Sequence, residues 1–208
     1  MERVSILRIS YILRCDNEIF AILFRNEKDE FICILAEDME DLDKLDITNQ
    51  IVCDINDDFY LIEEGTIKGL TFLAQLVIDS GLRRLVIPKM VNGMEVKALG
   101  RDSFRGLNIE TVILAEGIEK IDKRAFKDSK IEYLKIPNSI TIIEEKSFKD
   151  CINLELVEFG ENLEKIGSYC FNGCRNLSKV LLPKETNTVM ETTITAFSNT
   201  GNFEIQLV

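Results

Sequence analysis

The chain has 208 residues, of which 46% are apolar and 29% charged, the composition of a folded protein rather than a disordered one. Its net charge of −11 argues against nucleic acid or an anionic membrane as the main ligand, because such surfaces are held by clustered Lys and Arg. The absence of histidine removes Ser-His and Cys-His nucleophile systems and the commonest metal ligand.

In the first residues, Arg3, Arg8, Arg14, Asp16 and Glu18 interrupt every apolar run, so no signal-peptide core and no membrane-length segment is expected. If Met1 is the natural start, this predicts a cytoplasmic protein; otherwise a secreted or cell-surface one. Glu18–Phe24 and Phe31–Leu35 are β-rich runs around the polar Arg25–Glu30, and Ile51–Ile55 and Phe59–Ile62 read as a second strand pair around Asn56-Asp57-Asp58. Between the pairs, Met39, Leu42 and Leu45 at spacing three predict a short helix over Ala36–Asp46. Residues 1–64 thus read as a small, acidic, β-rich domain.

Acidic residues concentrate between Ala36 and Gly65, with eleven Asp or Glu and one basic residue, Lys44. A calcium loop is the sharp reading of Asp54, Asn56 and Asp58. It fails because Phe59 stands where the loop needs Gly, and Gly65 where it needs a bidentate Glu. A solvated acidic face is the plain reading; an acidic inhibitor of a basic partner is a weaker alternative.

Residues 65–81 read as the N-terminal cap of a second domain, residues 65–208. Ile67, Leu70, Leu73, Leu76 and Val77 are spaced for one helical face, and Ser80-Gly81 for its stop; one more strand of the N-terminal sheet over Thr66–Leu70 is the alternative.

From Leu82 the chain repeats itself. Phe126, Phe148 and Phe171 are 22 and 23 residues apart, and Val112, Leu134 and Val157 keep the same step. A fixed period of that size is a solenoid's signature. Ile131, Leu134 and Ile136 give one strand its inward side chains, Pro137 ends it, and Ile140 and Ile143 return. A helical turn over Glu144–Asp150 is then expected to bring Phe148 into the core, with Cys151 in a small apolar corner. The first repeat carries an insertion at Asn92-Gly93, a turn signal, and the fifth is Thr-rich and degenerate. Phe203–Val208 reads as a closing strand.

Cys15, Cys33, Cys53, Cys151, Cys170 and Cys174 sit within apolar strings and read as reduced core residues. Cys170 and Cys174 alone, without histidine, make a poor zinc site. No metal or cofactor is expected. The sequon Asn176-Leu177-Ser178 contains a core leucine.

Through Ile87–Gly93 (I-P-x-x-V-N-G) and the recurring I-x-x-x-A/S-F-x-x-C of Ile121–Ser129 and Ile143–Cys151, residues 82–200 resemble the BspA-type leucine-rich repeats. The resemblance implies an α/β fold: a right-handed solenoid with one parallel strand per repeat and short helical turns, used mainly to bind proteins. Members are often secreted or at the cell surface.

Alternate strand residues stack into columns across the concave face that this fold implies. One column reads Arg84, Thr111, Tyr133, Leu156 and Lys179; the second reads Val86, Ile113, Lys135, Glu158 and Leu181. Half are apolar or aromatic, which predicts a partner-binding surface anchored by Tyr133. The plain alternatives are that the N-terminal sheet covers it, that a second copy covers it in a homo-oligomer, or that β propensity alone chose Val and Ile. No P-loop or dinucleotide fingerprint is present, and the expected role is protein interaction or scaffolding rather than catalysis.

Overall fold

The computed structural model describes the backbone of residues 8–15, 18–25, 31–35, 51–54, 58–79, 81–184 and 193–208, and the side chains of 58–79, 81–184 and 195–208. The chain divides into two compact units, residues 1–59 with 71–82, and residues 60–70 with 83–208.

The first unit contains a four-stranded sheet. Strand β1 (Arg8–Cys15) runs antiparallel to β2 (Glu18–Arg25), which runs antiparallel to β3 (Phe31–Leu35); β4 (Ile51–Asp54) lies parallel beside β1. The hairpin expected from Glu18 to Leu35 is therefore formed, with Phe24 opposite Ile32. The second expected pair is not: Ile51–Asp54 pairs with β1, and Phe59–Ile62 turns elsewhere. The helix expected over Ala36–Asp46, and Asn56-Asp57 of the acidic stretch, lie outside the described residues.

Helix α1 (Phe72–Asp79) also belongs to this unit. Thr71 caps it, its hydroxyl oxygen accepting from the Ala74 amide at 3.3 Å. Gly81, at φ 126°, ends it as the sequence predicts. The Gly81 amide bonds to Ile78 O, and the Leu82 amide to Val77 O, which is the Schellman pairing.

The single helical face expected from Ile67 to Val77 is instead two elements. Strands β5 (Tyr60–Glu63) and β6 (Thr66–Leu70) form an antiparallel hairpin in the second unit, and the helix begins only at Phe72. The reason is local: Glu64 and Gly65 both take positive φ, 49° and 73°, the two-residue turn whose twist matches paired strands.

The second unit is a solenoid of parallel strands. Its longer ladder contains β7 (Arg84–Ile87), β11 (Thr111–Leu114), β13 (Tyr133–Lys135), β15 (Leu156–Glu158), β17 (Lys179–Leu182) and β18 (Glu204–Leu207), in that spatial order. The shorter ladder joins β6 to β10 (Ala98–Leu99), β12 (Lys120–Ile121), β14 (Ile142–Ile143) and β16 (Lys165–Ile166), with β5 antiparallel at its edge. The insertion at Asn92-Gly93 is a small hairpin of β8 (Met90–Val91) and β9 (Met94–Glu95).

Every inward residue read from the third repeat is buried. Ile131, Leu134, Ile140, Ile143, Phe148 and Cys151 are 0% exposed, and Ile136 1%. The phenylalanines form one stack through the core: Phe104, Phe126, Phe148, Phe171 and Phe197 lie with successive ring centroids 4.9, 5.2, 5.3 and 4.8 Å apart and nearly parallel planes. Cys151, Cys170 and Cys174 are free and buried, and burial pushes the Cys170 thiol far above its ordinary range. The Cys151 thiol meets the Ser129 hydroxyl at 3.2 Å, and the Cys174 thiol donates to Phe148 O at 3.1 Å. Polar demands of the small corner column are thus met without oxidation.

The helical turn expected over Glu144–Asp150 is a different structure. In the equivalent corner one repeat earlier, the amides of Ala125, Lys127 and Ser129 bond to carbonyls three residues back, whereas those of Arg124, Phe126 and Asp128 bond to Glu145, Ser147 and Lys149 of the next repeat. A helix would keep all these donors to itself. Alternation requires a left-handed residue at Arg124 (φ 61°) and Asp128 (64°), repeated at Lys146 and Asp150, both at 61°. The corner is consequently a third hydrogen-bonded ladder. The four-residue α2 (Thr193–Ala196) stands in the fifth repeat, whose Thr-rich middle, residues 185–192, lies outside the described residues.

Candidate partner-binding face

The longer ladder sets the candidate face, because residues paired across it must point the same way. Arg84 pairs with Thr111, Thr111 with Tyr133, Tyr133 with Leu156 and Leu156 with Lys179. In the second column, Val86 pairs with Ile113, Lys135 with Glu158, and Glu158 with Leu181. The residues between them, Leu85, Val112, Leu134, Val157 and Val180, are at most 2% exposed and form the core side.

All ten residues read from the sequence therefore stand on one sheet face, in the two columns predicted. Arg84, Val86, Tyr133 and Lys135 are exposed; Thr111, Ile113, Leu156, Glu158, Lys179 and Leu181 are half-buried. Among the ten, Val86 at 41% and Tyr133 at 38% are the large apolar side chains that water reaches most. The columns also extend one rung further, to Glu204 opposite Lys179 and Gln206 opposite Leu181. That rung is the closing strand read from the sequence over Phe203–Val208.

Side chains on this face are tied across rungs. Tyr133 donates its hydroxyl to Glu158 Oε2 at 3.0 Å, and Lys135 Nζ donates to Glu158 Oε1 at 2.6 Å. The lysine, and then the phenol, hold the Glu158 carboxyl below its usual range. Partial burial, and then the Glu158 charge, raise the Tyr133 phenol above its own. The triad leaves Tyr133 neutral and fixed in place over a depression of about 330 Å3 lined by Thr111, Ile113, Leu114, Glu116 and Pro137. A second depression, about 400 Å3, lies beyond Lys135 and Pro137 toward Phe159, Gly160 and Glu161. Glu116 borders both. Its carboxylate accepts from the Asn138 and Ser139 amides at 3.1 and 3.0 Å.

Electrostatically the face differs from the chain. Arg84, Lys135 and Lys179 stand against Glu158 among the ten, whereas the whole protein carries −11. Among the described residues, no group of three Cys, Asp or Glu could hold a metal ion, and no helix is long and apolar enough to cross a membrane.

The profile of the BspA type leucine-rich repeat region matches residues 79–204 in six copies. Among solved structures, the pneumococcal vaccine antigen PcpA is similar at 25% identity over 61% of this chain and 30% of its own, with a TM-score of 0.49. A leucine rich cell surface protein from Faecalibacterium prausnitzii A2-165 is similar at 17% identity over 52% of this chain and 37% of its own, with a TM-score of 0.36. The chain thus matches about a third of the length of either. No curated protein matches it.

Proposed function

The chain belongs to the BspA-type leucine-rich repeat family, and from that premise we propose that it is a non-catalytic protein-interaction or scaffold module that binds its partner on the face of the longer ladder. The observation carrying this reading is the pair of outward columns. Their centre combines the exposed, hydrogen-bonded Tyr133 with an apolar depression and a ring of charges at Lys135, Glu158 and Glu116. An aromatic anchor beside a pocket, rimmed by polar groups, is how protein interfaces concentrate their binding energy.

Affinity capture from the native organism tests it, comparing the intact chain with a variant carrying Tyr133→Asp and Leu156→Asp, each checked for folding by circular dichroism. A captured protein that is lost from the variant supports the face as the site. Capture unchanged by both substitutions overturns it and moves the search to the acidic residues 36–65. The same face suits a cytoplasmic scaffold or a surface module, and protease shaving of intact cells separates the two.

A further inference from the structure

The corner ladder carries a charge opposite to that of the chain. Its three charged turns, residues 101–106, 123–128 and 145–150, hold seven Lys or Arg and four Asp or Glu, in a protein whose net charge is −11. Cations 22 residues apart in sequence are brought together by stacking. The Gly106 amide bonds to Lys127 O and the Asp128 amide to Lys149 O, which sets Arg105, Lys127 and Lys149 in one column at the ladder spacing of about 4.8 Å. The Asp102 amide bonds to Lys123 O, which sets Arg101 beside Lys123 in a second.

The carboxylates between them are shared. Asp128 meets Arg105 Nε at 3.1 Å and Lys127 Nζ at 3.0 Å, and Asp150 meets Lys149 at 3.5 Å and Lys127 at 3.9 Å. Glu145 accepts from both Lys123 and Lys146. An ammonium has three donors, so these lysines keep donors for a ligand. Arg101 is exposed and makes no ion pair among the described residues. With Lys123 it lines a polar depression of about 320 Å3 whose carboxylates, Asp122 and Glu144, already accept from Lys120 and Lys165.

On the fourth turn the columns end in uncharged groups. Glu145 stacks on Ser168, Lys149 on Asn172 and Lys146 on Tyr169, with Lys146 Nζ 5.8 Å from the ring centroid. Tyr169 is 45% exposed, and its φ of 59° is one that bulky side chains rarely adopt. The ring lies outside the core.

We propose that the corner ladder binds an acidic polysaccharide lying along its axis, with the negative groups of the sugar chain on Arg101, Arg105, Lys123, Lys127 and Lys149 and a sugar ring against Tyr169. Three features of the face select this ligand. The cation columns repeat at every rung, about the length of one sugar unit, so a polymer charged on each unit meets a cation at each step. The intervening carboxylates accept hydrogen bonds, which sugar hydroxyls donate and the phosphodiester backbone of DNA cannot. The negative face of an exposed aromatic ring attracts the C–H groups of a pyranose. This ladder is separate from the face assigned to a protein partner, and either site can fail without the other.

Calorimetric titration of the intact chain at low ionic strength tests this, with oligogalacturonate and with oligoglutamate of equal carboxylate number. The sugar oligomer is expected to bind more tightly than oligoglutamate or single-stranded DNA of equal charge, and to weaken as salt is added. Arg101→Gln, Arg105→Gln and Lys149→Gln combined are expected to weaken it on the order of tenfold, the size of three exposed charge contacts. Lys68→Gln, Arg83→Gln and Lys89→Gln remove the same charge from exposed positions elsewhere and are expected to leave affinity close to that of the intact chain. Tyr169→Asn removes the ring with a residue that tolerates the left-handed conformation, and is expected to weaken the sugar oligomer but not oligoglutamate. Circular dichroism checks the fold of each variant. No binding by the intact chain, or equal losses from the two triple variants, overturns the site. Oligoglutamate or DNA binding as tightly as the sugar oligomer, or a Tyr169→Asn variant that binds it unchanged, overturns the ligand class.

Discussion

Tyr133 and Glu158 lie one rung apart and diagonally across the two outward columns, and the phenol hydroxyl closes that diagonal on the carboxylate at 3.0 Å. Lys135, directly opposite Glu158, holds the other oxygen. An anchor residue whose rotamer is fixed before a partner arrives loses less freedom on binding.

Burial and the neighbouring Glu158 charge both favour the neutral phenol, so Tyr133 is expected to ionise above the ordinary tyrosine range. Glu158→Gln removes the charge and leaves the burial, and should move the midpoint part of the way back. Spectrophotometric titration of phenolate, with Tyr133→Phe identifying the signal, measures this. A midpoint indifferent to Glu158→Gln would mean the pair is not formed in solution.

Phe148 stands in the middle of the aromatic stack, 0% exposed between Phe126 and Phe171. Phe148→Ala is expected to cost about 3–5 kcal/mol, because parallel rungs on both sides cannot close on the cavity. Phe148→Leu fills most of that volume and should cost less. Urea unfolding followed by circular dichroism gives both values. Equal losses would show that ring stacking, rather than volume, dominates.

The Glu145 carboxylate accepts from Lys123 Nζ at 2.6 Å and from Lys146 Nζ, and these two bonds hold its pKa down at about 2. The folded pKa is depressed, so the folded state binds fewer protons than the unfolded chain between the two values. Stability from this cluster is therefore full above the ordinary carboxylate range and is lost as pH falls from about 4.5 toward 2. Carbon-detected NMR titration should place Glu145 near the lower value. Lys123→Gln should raise that midpoint toward the ordinary range. At neutral pH the variant should be less stable than the intact chain, and the difference should shrink on acidification.

Much of the second unit was legible in the sequence. The 22- and 23-residue step and the inward residues Ile131 to Cys151 follow from periodicity, and both outward columns from periodicity together with the parallel ladder that the family resemblance implies, since such a ladder repeats side-chain direction whenever the chain repeats its pattern. The join was harder to read. Ile67 and Leu70 fit a helical face by spacing, but Glu64-Gly65 folds their segment back on Tyr60–Glu63, and turn geometry overrode the spacing. The partner of Ile51–Asp54 was equally hidden, since parallel pairing with Arg8–Cys15 leaves no local turn signal.

Periodicity is enough to make this chain a repeat solenoid and to pick out which side chains line its core, and the motifs at Ile87–Gly93 and Ile121–Ser129 carry its resemblance to the BspA-type repeats. A period is written in one dimension, so these properties can be read without coordinates. The corners are products of the three-dimensional arrangement. Arg124 and Lys146 carry no mark of the left-handed conformation, which ordinarily costs about 1–2 kcal/mol for such residues. They adopt it because amides beside them find carbonyls in the neighbouring repeat.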